Sequence, residues 1–126
     1  MRYMLLFHYG EESEESIGAE AMEAGAQAMS SYAATLEQAG ILVSGQILQP
    51  SAGSTTLTLV DGETRIQDGP FADTKEQLGG VMVIDVPDLD AALHWARQAP
   101  PLTWGGTVEV RPGAVHIKGG MWVPSA

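Results

Sequence analysis

Gly80-Val81-Met82-Val83-Ile84-Asp85-Val86-Pro87-Asp88 sets the architecture of this chain. The run from Gly80 to Val86 is apolar at odd and even positions alike, the pattern of a strand buried on both faces. Pro87-Asp88 then starts a helix, and Leu89, Ala92, Leu93 and Ala96 recur at the spacing of its buried stripe. Pro100-Pro101 stops that helix, since proline removes a backbone donor and clashes with the preceding turn. Thr107–Arg111 reads as a last core strand, with Val115–Lys118 as a further short one.

The same order occurs upstream. Residues 2–9 alternate Tyr3, Leu5 and Phe7 with Met4, Leu6 and His8, so both faces of this first strand are mostly apolar. Gly10 to Ser16 is an acidic loop in which Glu11-Glu12 and Glu14-Glu15 read as a solvated lead into a helix whose start the serines can cap. From Ile17 to Ala39 the positions Met22, Ala26, Met29, Ala33 and Leu36, with Tyr32 beside them, keep helical spacing, and Gly40 ends the helix. Gly25 inside it costs about 1 kcal/mol relative to Ala, which points to close packing on a sheet. Ile41–Leu48 is a strand closed by Pro50 and a small-residue loop. Asp61-Gly62 between Thr55–Val60 and Glu63–Asp68 is a strong hairpin signal.

The element order is strand, helix, strand, hairpin, strand, helix, strand. It predicts a single α+β domain over residues 1–126: a ferredoxin-like antiparallel sheet with two helices on one face. Two helices cover only one side of such a sheet, yet its central strands are apolar on both. The expected cover is a second copy of the chain, giving a homodimer that closes a dimeric α/β barrel around a pocket.

Composition narrows the function classes. Sixteen acids against six bases give a net charge of −10, a surface that repels phosphate backbones and anionic membranes. No direct nucleic-acid or membrane partner is expected, and no segment has the length and apolarity of a membrane span. Zero cysteines exclude disulfides, thiolate metal sites and cysteine nucleophiles. The expected compartment is the cytoplasm. His8, His94 and His116 have no metal-ligand spacing, so neither a metal nor another cofactor is expected.

Asp68-Gly69-Pro70-Phe71-Ala72-Asp73-Thr74-Lys75-Glu76-Gln77-Leu78-Gly79-Gly80 carries the densest local signal. It supports two readings. In one, Asp68, Asp73, Lys75 and Glu76 ring a pocket mouth, where Lys75 binds an anionic group and a carboxylate serves as base. In the other the stretch is a turn: Asp68 bonds local amides, Pro70 biases Gly69 toward an extended conformation, Phe71 anchors the loop in the core, and Lys75 pairs with Asp73 or Glu76. His8 joins the candidates because it ends a core strand, where side chains line pockets, and histidine is a common proton-transfer residue. Ser44 and Gln46 join them because they flank Gly45 on a strand facing the expected cavity. No serine lies in a G-x-S-x-G turn, so nucleophilic serine chemistry has no support. Trp95, Trp104 and Trp122 read as core or interface residues, with Trp122 suited to dock on a partner subunit.

Asp68-Gly69-Pro70-Phe71, Thr74-Lys75-Glu76-Gln77-Leu78-Gly79-Gly80 and Ile84-Asp85-Val86 resemble the DGPF branch of the YCII-related proteins. Gly45 with Leu48-Gln49-Pro50, and Val108-Glu109-Val110-Arg111-Pro112, resemble it as well. The resemblance implies a dimeric α/β barrel. It also implies a histidine on the first helix and an aspartate after the second, a pair proposed as an active site; one relative dehydrochlorinates a hydroxylated aromatic ring. Those positions correspond here to Ala28 and Ala99, which can neither move a proton nor hold a charge, so no such activity carries over. DGPF-type proteins are often encoded beside extracytoplasmic-function sigma factors, which implies a regulatory association. Two functions are therefore expected: a small-molecule binding protein, with or without an enzymatic activity of its own, using a dimer-enclosed cavity near the DGPF stretch, or a regulatory module of sigma-factor signalling that meets a basic protein partner.

Overall fold

The computed structural model describes the backbone of residues 1–126 and every side chain except that of Glu14, so the expected solvation of Glu14 lies outside the described residues. Strand β1 (Arg2–Gly10) is followed by the short helix α1 (Glu14–Ile17) and the long helix α2 (Ala19–Gln38). Strand β2 (Leu42–Ile47), the hairpin β3 (Thr55–Val60) and β4 (Glu63–Asp68), and β5 (Glu76–Asp85) come next. Helix α3 (Leu89–Ala96), strand β6 (Thr107–Pro112) and a second hairpin, β7 (Val115–Lys118) and β8 (Met121–Pro124), complete the chain.

The main sheet has the order β2-β5-β1-β6, and every adjacent pair is antiparallel. This is the ferredoxin-like arrangement expected from the element order. Tyr3, Leu5 and Phe7 on β1 and Met82 and Ile84 on β5 point to one face. There they form one buried cluster with Tyr32 and Leu36 of α2 and Ala92 and Ala96 of α3, so α2 and α3 lie on the same side. The Tyr32 hydroxyl donates to the Trp95 carbonyl at 2.8 Å and ties α2 to α3. Asp88 caps α3 by accepting from the Ala91 N–H at 2.9 Å.

The opposite face of the sheet is not covered by helices. By strand alternation and register it carries Met4, Leu6 and His8 of β1, Leu78, Val81 and Val83 of β5, and Ser44 of β2. No barrel is closed within the chain, whose two hairpins form separate two-stranded sheets.

Several local expectations change. The first helix is broken at Gly18, whose φ of 90° lies outside helical space, leaving α1 as a single turn. Ser13 and Ser16 cap that turn reciprocally, through Ser16 N–H to Ser13 Oγ at 3.2 Å and Ser13 N–H to Ser16 Oγ at 3.1 Å. Strand β5 starts at Glu76, because pairing with Tyr9 and Gly10 extends it through a register shift opposite Phe7 and His8. Gly25 packs on the Trp104 indole and not on a sheet; a Cβ there would meet Trp104 Cζ2 at 3.5 Å. Strand β8, absent from the expected elements, pairs with β7 through Gly119-Gly120, both at positive φ.

The largest correction concerns Phe71. It is 88% exposed and does not anchor its loop in the core. Polar bonds hold the loop instead: Gly69 N–H donates to the Ser54 carbonyl at 2.7 Å, Thr56 Oγ1 to the Gly69 carbonyl at 2.7 Å, and Gln77 Nε2 to the Ala72 carbonyl at 2.9 Å. Gly69 adopts φ 100°, so the turn uses its missing Cβ and not the extended conformation that the following proline favours. Lys75 makes no ion pair among the described residues, because neither Asp73 nor Glu76 comes within reach.

Candidate functional site

The apolar stripe of α2 is only half used by the core. Its C-terminal part, Tyr32 and Leu36, is buried, whereas Met22 is 42% exposed and Ala26 is open to solvent. That uncovered length forms one wall of a cleft of about 980 Å³. The volume lies at the upper end of the roughly 300–1,000 Å³ usual for small-molecule sites. Met22, Ala26, Met29 and Ala33 line the α2 side, and Leu42, Gly45 and Ile47 of β2 line the other, with Met82 beneath. Gly45 lets Met82 lie close, since a Cβ there would meet Met82 Cγ at 3.3 Å.

Tyr9 and Trp104 also line the cleft, edge to face with ring centroids 5.5 Å apart. The position of Tyr9 is set by the shift between β1 and β5: its ring occupies the space over Gly79, where any Cβ would fall inside the ring. Burial first, and the neighbouring Glu11 carboxylate second, push the Tyr9 hydroxyl above the ordinary phenol pKa. At neutral pH it is therefore an uncharged donor. Glu12, Ser30 and Gln46 supply the remaining polar character of the walls. Glu12 is fixed by a bond from Ser16 Oγ at 2.9 Å, and Glu11 by a bond from the Ser51 N–H at 2.9 Å.

The residues singled out in the sequence are divided among several places. His8, Lys75 and Glu76 meet, with Thr74, at a separate shallow depression. Across the strands, His8 Nε2 stands 3.8 Å from Glu109 Oε1, and the Arg111 guanidinium binds the other oxygen of Glu109. Gln46 lines the large cleft instead. Ser44 lies beside Val83 on the uncovered sheet face, Asp68 ends β4 opposite Thr55, and Asp73 sits exposed in the pinned loop. Ala28 is half-buried and Ala99 is buried, and neither lines the cleft. Among the described residues, no group of His, Cys, Asp and Glu side chains is placed to hold a metal ion.

The cleft residues Tyr9, Met22, Met29 and Trp104 were not candidates in the sequence, because methionines and aromatics at helical or strand spacing read as core. A usable signal did exist. The stripe of α2 extends further toward its N-terminus than the two short helices and the narrow sheet can cover.

A family model described as the YCII-related domain matches residues 1–113. An uncharacterised protein of Rhizobium meliloti (strain 1021) is 48% identical over 75 residues, a stretch covering 57% of this chain and 59% of that relative. The chain thus spans less than two thirds of the length of the curated relative it matches. The β7–β8 hairpin lies beyond the part matched by the family model.

Proposed function

The chain belongs to the YCII-related family, whose model covers residues 1–113, and we propose that it is a small-molecule binding protein whose ligand occupies the α2–β2 cleft. The observation that carries this reading is the unburied apolar stripe of α2 facing a cleft of about 980 Å³. Met22, 42% exposed, and the half-buried Met29 leave apolar area in contact with water, and a ligand that covers it gains about 25 cal/mol for each Å² buried. The motif Asp68-Gly69-Pro70-Phe71 supports placing the chain in the DGPF branch, with that stretch serving as a turn that feeds β5 and not as the wall of the main cleft. With alanine at 28 and 99, binding and not proton transfer is the role that these residues support.

The test is thermal unfolding against neutral, cationic and anionic aromatic compounds. A ligand at a hundred times its Kd adds about 2.7 kcal/mol, which raises Tm by several degrees. Ala26→Trp should weaken the shift by obstructing one wall of the cleft while leaving the fold intact, since Ala26 is exposed. No shift with any compound at millimolar concentration would remove the cleft reading.

The uncovered sheet face supports a second, compatible inference: two copies pair through it. Met4, Leu6, Leu78, Val81 and Val83 form its apolar centre, with the His8–Glu109–Arg111 row along one side. Light scattering after size-exclusion chromatography should give twice the 13.3 kDa of one chain, and Val83→Glu should give the single chain. A wild-type protein that stays monomeric at micromolar concentration rules this assembly out.

A further inference from the structure

If the cleft is the binding site, as proposed above, its make-up selects the class of ligand. Among the described residues lining it there is no lysine, arginine or histidine. Glu12 is the one formally charged residue among the described residues of the lining. Glu11 adds a second carboxylate at the same end, close enough to act on the Tyr9 hydroxyl. Both acids are held in place, Glu12 by Ser16 Oγ and Glu11 by the Ser51 N–H, each at 2.9 Å.

An anionic ligand would meet these carboxylates with no cation to balance it, in a chain of net charge −10. Moving a carboxylate into an apolar site without a partner is strongly unfavourable. A cation meets the opposite conditions. The carboxylates attract it, and the rings of Tyr9 and Trp104 add the quadrupole attraction that aromatic faces offer to ammonium groups. The walls provided by Met22, Met29 and Met82 are flexible and polarisable, so they adapt to an apolar body of variable shape. Lys75 and His8, which suit an anion, line the separate shallow depression and not this cleft.

We propose that the cleft takes an apolar amine, its hydrocarbon or aromatic body lying along Met22, Met29 and Met82 and its ammonium group at the Glu12 end beside Tyr9. The carboxylate sets the orientation as well as the charge preference, because the cleft offers no second charged anchor among its described lining residues.

Isothermal titration of the full chain with phenylbutylamine, phenylbutanol and phenylbutyrate at neutral pH tests the assignment, since the three probes share one apolar body. The amine is expected to bind about fivefold tighter than the alcohol, the range of an exposed ion pair, with the acid weakest. Glu12→Gln should reduce the preference for the amine, and the pair Glu11→Gln with Glu12→Gln should bring the Kd of the amine to that of the alcohol. The proposal is overturned if the acid binds as tightly as the amine, or if the advantage of the amine survives the loss of both carboxylates. Binding of the alcohol without preference for the amine would defeat the cation assignment and leave the cleft as a binding site. Failure of all three probes to bind the folded protein would defeat both.

Discussion

Strand β1 is apolar on both faces and β3 carries leucines at alternate positions, and the rows Leu5, Phe7 and Leu57, Leu59 meet opposite fates. Leu5 and Phe7 on β1 are fully buried, while Leu57 and Leu59 on β3 are 62% and 72% exposed and their cross-strand neighbour Ile66 is 71% exposed. Alternation specifies a strand, but it does not supply the surface that covers it. β1 is central, flanked by β5 and β6 and roofed by α2 and α3. The β3–β4 ribbon pairs only with itself, and a lone two-stranded ribbon is marginal in water. Its form rests on the Asp61-Gly62 turn, with φ of 50° and 80°, and on the tether from Gly69 to Ser54.

The sharpest test of this difference is a matched pair of truncations. Leu5→Ala opens a cavity in the core and should cost about 2–5 kcal/mol, whereas Leu57→Ala should stay within about 0.5 kcal/mol, as exposed substitutions do. Equal losses in urea unfolding would show that the hairpin is covered in solution, most simply by another chain. Gly79→Ala probes the boundary between core and cleft. A Cβ at 79 must expel the Tyr9 ring, so a loss of about 1–3 kcal/mol is expected, together with a change in the fluorescence of Trp104. Wild-type stability and fluorescence would mean that Tyr9 does not rest over the glycine.

Tyr32 gives a test inside the core. Tyr32→Phe removes the bond to the Trp95 carbonyl and should cost about 1 kcal/mol. Burial raises the hydroxyl of Tyr32 from 10.0 to about 12, so the folded state holds this proton more tightly than the unfolded state. The contribution is complete below pH 10 and is lost as pH rises from 10 toward 12. Tm should therefore fall over that window in wild type and fall less in Tyr32→Phe. The smallest effect is expected at Phe71: Phe71→Ala should leave stability unchanged within about 0.5 kcal/mol, since the loop is held by polar bonds. A large loss there would place Phe71 against a partner surface.

Local chemistry sufficed for much of the fold. Asp88 marked the start of α3 and Ala92 and Ala96 its buried face, although the helix ends at Ala96, ahead of Pro100, and Leu89 is 49% exposed; Asp61-Gly62 fixed the hairpin, and Gly40, at φ 72°, closed the end of α2. These signals are short-range: a cap, a turn or a stripe carries its own hydrogen bonds or periodicity. The strand order followed from the element order, because few topologies accommodate it. What the chain could not show by itself was which apolar surfaces find a cover. Phe71 and Leu57 look like core in one dimension, and Met22 looks like Leu36, yet their environments differ because burial depends on which elements happen to stand opposite. The same reason hid the cleft. Its walls come from β1, α2, β2, β5 and the turn at Trp104, far apart in sequence, and only the packed sheet and helix bring Tyr9, Met29, Met82 and Trp104 around one space.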